Sequence, residues 1–167
     1  MLGQFVTLCL FKSKPQDLPA SSQLLLVCVV ATFATNLLGN AYYLEQQVAL
    51  FSLSETVLLG VAIWLLLQIF NLKERWTQTA IAVYGASTLL SILSLPFFGL
   101  LTQNAEREAM STPLAMVLLI EFWFYAILVF ILKEALDSSL SLAITITLVV
   151  VLGLIITLMA LFGTQLS

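Results

Sequence analysis

The sequence predicts an all-α integral membrane protein: a bundle of five transmembrane helices preceded by a short N-terminal interfacial helix. Three observations carry this. Of 167 residues, 61% are hydrophobic and 9% charged, against roughly 25% charged in an ordinary soluble domain. Six basic and nine acidic side chains are too few to cover a soluble exterior of this size, so the exterior is lipid. The charges also sit between long apolar runs, each near the about 20 residues that cross a hydrocarbon core of about 30 Å. The expected division is 1–14 as the interfacial helix and 15–167 as the five-span domain.

The helices follow in order. Leu2, Phe5, Val6 and Cys9 recur at helical spacing, with Gln4 and Thr7 off the stripe and Lys12 and Lys14 just beyond it. This predicts a short helix lying flat on the membrane, its lysines toward anionic headgroups. No basic residue precedes the apolar run and no small-x-small site follows it, which argues against a signal peptide. Pro15 and Pro19 then stop the helix and turn the chain into the membrane. The first span is expected near 22–43 and the second near 48–70, interrupted early by Glu55. Lys73, Glu74 and Arg75 separate it from a third, near 76–101, in which Pro96 should kink the helix or mark its outer end. A polar link follows over 102–111. The fourth span begins at Thr112-Pro113, a natural N-cap and first helical residue, and ends near Leu132. The fifth runs from about 138 to 162, with Gly163 as its C-cap.

Five spans put the termini on opposite sides. With the N-terminus in the cytoplasm, the inner side carries Lys12, Lys14, Lys73, Arg75 and Lys133, and the outer side only Arg107. That distribution follows the positive-inside rule and predicts a multi-pass protein of the bacterial inner membrane, N-terminus in and C-terminus out.

Composition excludes much chemistry. The chain has no histidine, which removes His-based zinc sites, Ser-His catalysis, haem ligation through His and His proton shuttles. Cys9 and Cys28 stand alone in apolar runs and read as small buried hydrophobes. No Gly-rich phosphate loop is present, and a net charge of -3 without a basic patch argues against nucleic acid. No cofactor, metal site or catalytic residue is expected.

Phe70-Asn71-Leu72-Lys73-Glu74 and Phe130-Ile131-Leu132-Lys133-Glu134 lie 60 positions apart, agree at four of five residues, and each close an even-numbered span. A duplication of two hairpins would make spans two-three and four-five parallel repeats. Coincidence is the competing account, because Phe and Leu are abundant and Lys-Glu is a common way to leave a membrane.

A family resemblance rests on Lys14-Pro15-Gln16-Asp17, on Arg75-Trp76-Thr77-Gln78-Thr79 leading into Tyr84-Gly85-Ala86-Ser87, and on the late Pro96. With five spans, these residues resemble the Yip-domain (Ypt-interacting protein) family, in its compact bacterial form. For eukaryotic members the resemblance implies vesicle traffic with Rab-type GTPases, engaged through a long cytoplasmic N-terminal region. The compact bacterial form supplies no catalytic residues to carry over.

Polar residues inside spans are the remaining signal. Glu121 falls near the middle of the fourth span, where an ionised carboxylate costs a few kcal/mol or more. It should face the bundle interior, be protonated or find a partner, either as a proton or cation site or as a fixture of helix packing. Glu55 lies closer to the outer interface, within reach of it by snorkelling. Thr32, Asn36 and Asn40 form an i, i+4, i+8 stripe with Thr35 and Gly39 alongside, expected to face inward. Tyr84, Ser87, Ser91 and Ser94 repeat the pattern on the third span. Gly153, Thr157 and Ala160 form a small-residue strip on the fifth, suited to close helix approach. Phe122 to Tyr125 form an aromatic cluster at mid-span, read as bundle packing or lipid contact.

The expected function is a non-enzymatic accessory or scaffolding subunit of a membrane assembly, with membrane lipids and other membrane subunits as partners. The alternative is a small transporter or ion-conducting protein that uses Glu121, with Glu55, Asn36 and Asn40 as companions. Lys12 and Lys14 are the expected lipid-surface contacts.

Overall fold

A computed structural model describes residues 2–44, 46–103 and 112–163. Six α-helices run in the order α1 (Leu2–Cys9), α2 (Ser22–Asn40), α3 (Val48–Ile69), α4 (Trp76–Gln103), α5 (Thr112–Leu136) and α6 (Leu140–Phe162), with no strand among the described residues. Helices α2 to α6 are each long and apolar enough to cross a membrane, and the chain is a multi-pass helical membrane bundle. The spans close to within a few residues of their expected bounds. Ser21 and Ser139 cap α2 and α6, each accepting a backbone N–H from three residues on. Helix α4 does not end at Pro96 but continues to Gln103. Thr112 is already helical, with Pro113 in the first turn.

Helix α4 is the spine, packed against α1, α2, α3 and α5. Its residues 80–86 are buried throughout, and the small side chains of Ala80, Ala82, Gly85 and Ala86 let neighbours approach closely. Around them Leu67, Ile127, Ile131 and Leu132 are almost wholly buried, forming one core with Phe5, Leu8 and Cys9 of α1. A methyl at Gly60 would overlap the Tyr84 hydroxyl, which donates to the Thr56 carbonyl at 2.8 Å. Thr32 Oγ1 donates to the Tyr84 carbonyl at 2.9 Å. Lipid offers backbone and hydroxyl groups no partner, and the Tyr84 and Thr32 hydroxyls find theirs within the bundle.

Helix α1 packs one face against α4 and is bonded to α5. Leu8 is completely buried, the Phe5 ring occupies the place a side chain at Gly85 would take, and Trp123 Nε1 donates to the Cys9 carbonyl at 3.0 Å. Gly85 lies seven residues inward of Gln78, and Trp123 eleven residues inward of Glu134, roughly 10 and 16 Å along their helices at 1.5 Å per residue. The helix therefore packs against the bundle, and among its described side chains Phe5, Leu8 and Cys9 are buried while Val6 faces outward. Two backbone bonds close its C-terminus, Phe11 N to Leu8 O and Lys12 N to Thr7 O, with Phe11 at φ 59°. A left-handed conformation is costly for a bulky residue. The Phe11 ring is held by Trp123 and, edge-on, by Phe130 at 5.4 Å.

The basic residues do structural work at this end. Lys14 Nζ and Lys133 Nζ each lie 2.8 Å from the Glu134 carboxylate. Gln16 Nε2 donates to the Glu134 carbonyl at 2.7 Å, and Arg75 Nη1 donates to the Ala135 carbonyl at 2.7 Å, satisfying the C-terminal turn of α5. Gln78 Nε2 holds the Leu18 carbonyl at 3.0 Å. Lys14 is thus tied to α5 rather than to a headgroup alone, while Lys12 is exposed.

The two matching pentapeptides take different conformations. Phe70 caps α3, Asn71 is left-handed at φ 57°, and Lys73–Arg75 form a 3-10 turn. Phe130 to Glu134 lie inside α5, and the corresponding left-handed residue is Asp137 at φ 51°. The helix ends superpose in role, but with the sequence match shifted by six residues, so the pentapeptides are not equivalent positions of a repeat.

Candidate functional site

At the end away from the basic residues the bundle opens into a cavity of about 470 Å³. All five spans contribute: α2 through its last turns, α4 from Ser87 to Phe98, α3 through Glu55 and Leu59, α5 through its middle from Glu121 to Leu128, and α6 through its second half. Glu55 and Glu121 both line it, with Asn36 and Asn40 of α2 and Ser87, Ser91 and Ser94 of α4. Glu55 stands seven residues into α3 and Glu121 nine into α5, roughly 10 and 13 Å along helices that start from the same side. The two carboxylates therefore lie at similar depth, well inside the span.

The polar wall is built by helical spacing. Asn36 and Asn40 are one turn apart on α2, and Ser87, Ser91 and Ser94 recur every three or four residues on α4, so each set projects from one face. Asn40 Nδ2 donates to Ser52 Oγ at 3.0 Å and to Glu55 Oε2 at 3.1 Å. These two bonds use both amide hydrogens and fix the Glu55 carboxylate. Asn36 Nδ2 makes a longer 3.5 Å contact with Thr56 Oγ1. Ser94 Oγ returns its hydrogen to the Ser91 carbonyl at 2.9 Å. Glu121 has no hydrogen-bond or ion-pair partner among the described residues and is exposed. No Lys or Arg among the described residues lines the cavity; Arg107, the one base expected on this side, lies outside the described residues.

The rest of the lining is apolar and aromatic. Leu128, Val151, Leu154 and Leu158 border the same space as Tyr43, Phe98, Phe124 and Tyr125, and Tyr43 meets Phe98 edge-on at 5.3 Å. Tyr125 also donates to the Ile144 carbonyl at 3.2 Å. The mid-span aromatic cluster is thus divided three ways: Phe122 is 71% exposed, Trp123 holds α1, and Phe124 and Tyr125 line the cavity.

All four expected polar residues, Glu121, Glu55, Asn36 and Asn40, come together here. Of the other two stripes, Thr35 and Gly39 join the cavity, whereas Thr32 and Tyr84 sit below it in the core. The strip on α6 does not provide close approach: Gly153, Thr157 and Ala160 are exposed, and a side chain at Gly153 would meet nothing within 4 Å. The packed face of α6 is instead Ala143, Thr147 and Phe162, the last against Phe51 at 5.2 Å. Sequence reading missed Tyr43, Phe98 and the α6 wall. Phe98 had no signal beyond its place after Pro96, and α6 is apolar on every side, so nothing in its sequence marks the lining face.

Among the described residues no three or more Cys, Asp or Glu side chains gather as a metal would need. The arrangement is suited to holding a polar or positively charged species against two carboxylates within an apolar bundle. No protein-family model matches the chain, no curated protein matches it, and no solved structure matches it.

Proposed function

We propose that this chain is a small transporter or ion-conducting protein of the bacterial inner membrane, N-terminus in the cytoplasm, whose working site is the cavity around Glu121 and Glu55. The supporting observation is that two carboxylates line one cavity inside the span with no described basic residue beside them. Intramembrane carboxylates are costly to retain for packing alone, since an apolar side chain fills the same space without desolvation. In the proposed orientation the cavity lies toward the outer face. We also place the chain with the compact Yip-domain proteins, on the residues between Lys14 and Pro96.

Reconstitution in proteoliposomes tests the site. Ion or pH jumps across a supported membrane should give a current from the wild type that Glu121→Gln abolishes, while the variant keeps its gel-filtration profile and melting temperature. An unchanged current in that variant removes Glu121 from the mechanism, and no current from the wild type removes transport.

The accessory-subunit reading stands second. Its support is the strip of Gly153, Thr157 and Ala160, which is exposed on α6 and is of the composition that lets helices meet in lipid. Purification from the native membrane in mild detergent separates the two: a defined heteromeric complex favours the subunit, a single-component particle the transporter. Neither reading assigns an enzymatic activity.

A further inference from the structure

We infer that the cavity takes an organic cation, a quaternary ammonium or protonated amine carrying an apolar group, with Glu55 and Glu121 as its counter-charges. This rests on the reading of the cavity as a transport site and names its substrate class.

Three features of the cavity define the ligand. Its charge is one-sided: of Asp, Glu, Lys and Arg, the described wall carries only the carboxyl groups of Glu55 and Glu121, and in a low-dielectric site that charge is balanced by what enters. Its volume, about 470 Å³, falls in the range of small-molecule pockets, about 300–1,000 Å³, and far exceeds the about 30 Å³ of a water molecule. A bare metal ion would need several oxygens converging at bonding distance, and among the described residues no three or more Cys, Asp or Glu side chains gather as such a site requires. Its aromatic content completes the match. Tyr43, Phe98, Phe124 and Tyr125 border the same space, and ring faces attract ammonium groups that have shed their water.

The two carboxylates have different roles. Glu55 is held by Asn40 and presents a fixed carboxyl group, whereas Glu121 is exposed and without a partner among the described residues, placed to meet the cation as it arrives. A zwitterionic lipid headgroup fits less well, because its phosphate would face this acidic wall without a described base to receive it. The ligand is therefore a free cationic solute.

The test is calorimetric titration of the full chain in maltoside detergent with benzyltrimethylammonium, beside its neutral isostere neopentylbenzene. The cation should bind and the isostere should not. Glu121→Gln and Glu55→Gln should each weaken binding at least tenfold, about 1.4 kcal/mol. Leu158→Trp, which fills the cavity from the apolar wall and leaves both carboxylates in place, should abolish binding in a protein of unchanged melting temperature. Equal binding of the isostere, or undiminished binding in either Gln variant, overturns the proposal. Competition by dihexanoylphosphatidylcholine as effective as the cation's own self-competition overturns the assignment to a free solute. A Glu121-dependent current without any binding of the cation refutes the ligand class and leaves transport standing; absence of both refutes both.

Discussion

Between residues 80 and 86 helix α4 is buried on every side, among Phe5, Ile63, Leu67, Ile131 and Leu132. Farther along, from Ser87 to Phe98, the same helix borders a cavity of about 470 Å³. The difference lies in what the neighbours present. At the basic end small residues on α4 meet branched and aromatic side chains of α1, α3 and α5, and the gaps close. At the other end α4 offers serines, α2 offers asparagines, and two carboxylates stand on α3 and α5. Because lipid is as apolar as leucine, helices in a membrane gain by van der Waals fit and by hydrogen bonds rather than by hydrophobic burial. Close fit is concentrated at the basic end, and the polar groups gather at the other.

The largest test of this division is truncation on either side of it. Leu132→Ala, at a completely buried site, should destabilise by about 2–5 kcal/mol, read as a shifted unfolding midpoint in mixed detergent and SDS micelles. Leu158→Ala, on the cavity wall, should lose under roughly 1 kcal/mol, since fewer contacts disappear there. Equal losses would erase the distinction between the two ends. Gly60→Ala comes next: the added methyl displaces the Tyr84 hydroxyl from the Thr56 carbonyl, at about 1–3 kcal/mol by the same assay.

Detaching α1 should have a smaller effect. Trp123→Phe keeps the ring but removes the hydrogen bond to the Cys9 carbonyl, worth about 0.5–1.5 kcal/mol. Burial pushes the Cys9 thiol up to about 11, so maleimide labelling at neutral pH should be slow in a Cys28→Ala background and faster once Trp123 is changed. Identical labelling rates would show that Trp123 does not hold α1.

The smallest effect belongs to Lys14. The hydrogen bond and charge of Glu134 hold its ammonium above the usual lysine range. A pKa raised in the folded state stabilises fully below the unfolded value, about 10.4, and that contribution disappears as pH rises through the folded value. Alkaline melting curves should therefore show a slight extra loss that Lys14→Met lacks. Lys14 is exposed, so screening keeps the difference small.

Hydropathy and charge made most of the fold legible. The five spans were readable because a helix in lipid satisfies its own backbone and is revealed by length and composition alone. The four polar site residues were readable for a related reason: Glu121, Glu55, Asn36 and Asn40 are each unfavourable against lipid and so point toward protein. Their aromatic and aliphatic partners were not. Leu154 and Leu158 are as comfortable against lipid as against a cavity, and no periodicity distinguishes the face that turns inward. The same ambiguity hides the partners of α1. An apolar stripe followed by lysines fits a headgroup region, but Gly85 on another helix accepts the Phe5 ring, and that vacancy in the surface of α4 is seen only when both helices are in place.

The sequence by itself determined that lipid is the solvent, where the chain crosses it, and that five of the six bases fall on one side of the spans, because transfer free energies act residue by residue. Tertiary structure alone decided that Glu55 and Glu121 share one cavity, that α1 docks beneath it, and that the small-residue strip of α6 turns outward. Those outcomes depend on the shapes of facing helices, and in an apolar solvent shape rather than polarity selects which apolar face meets which.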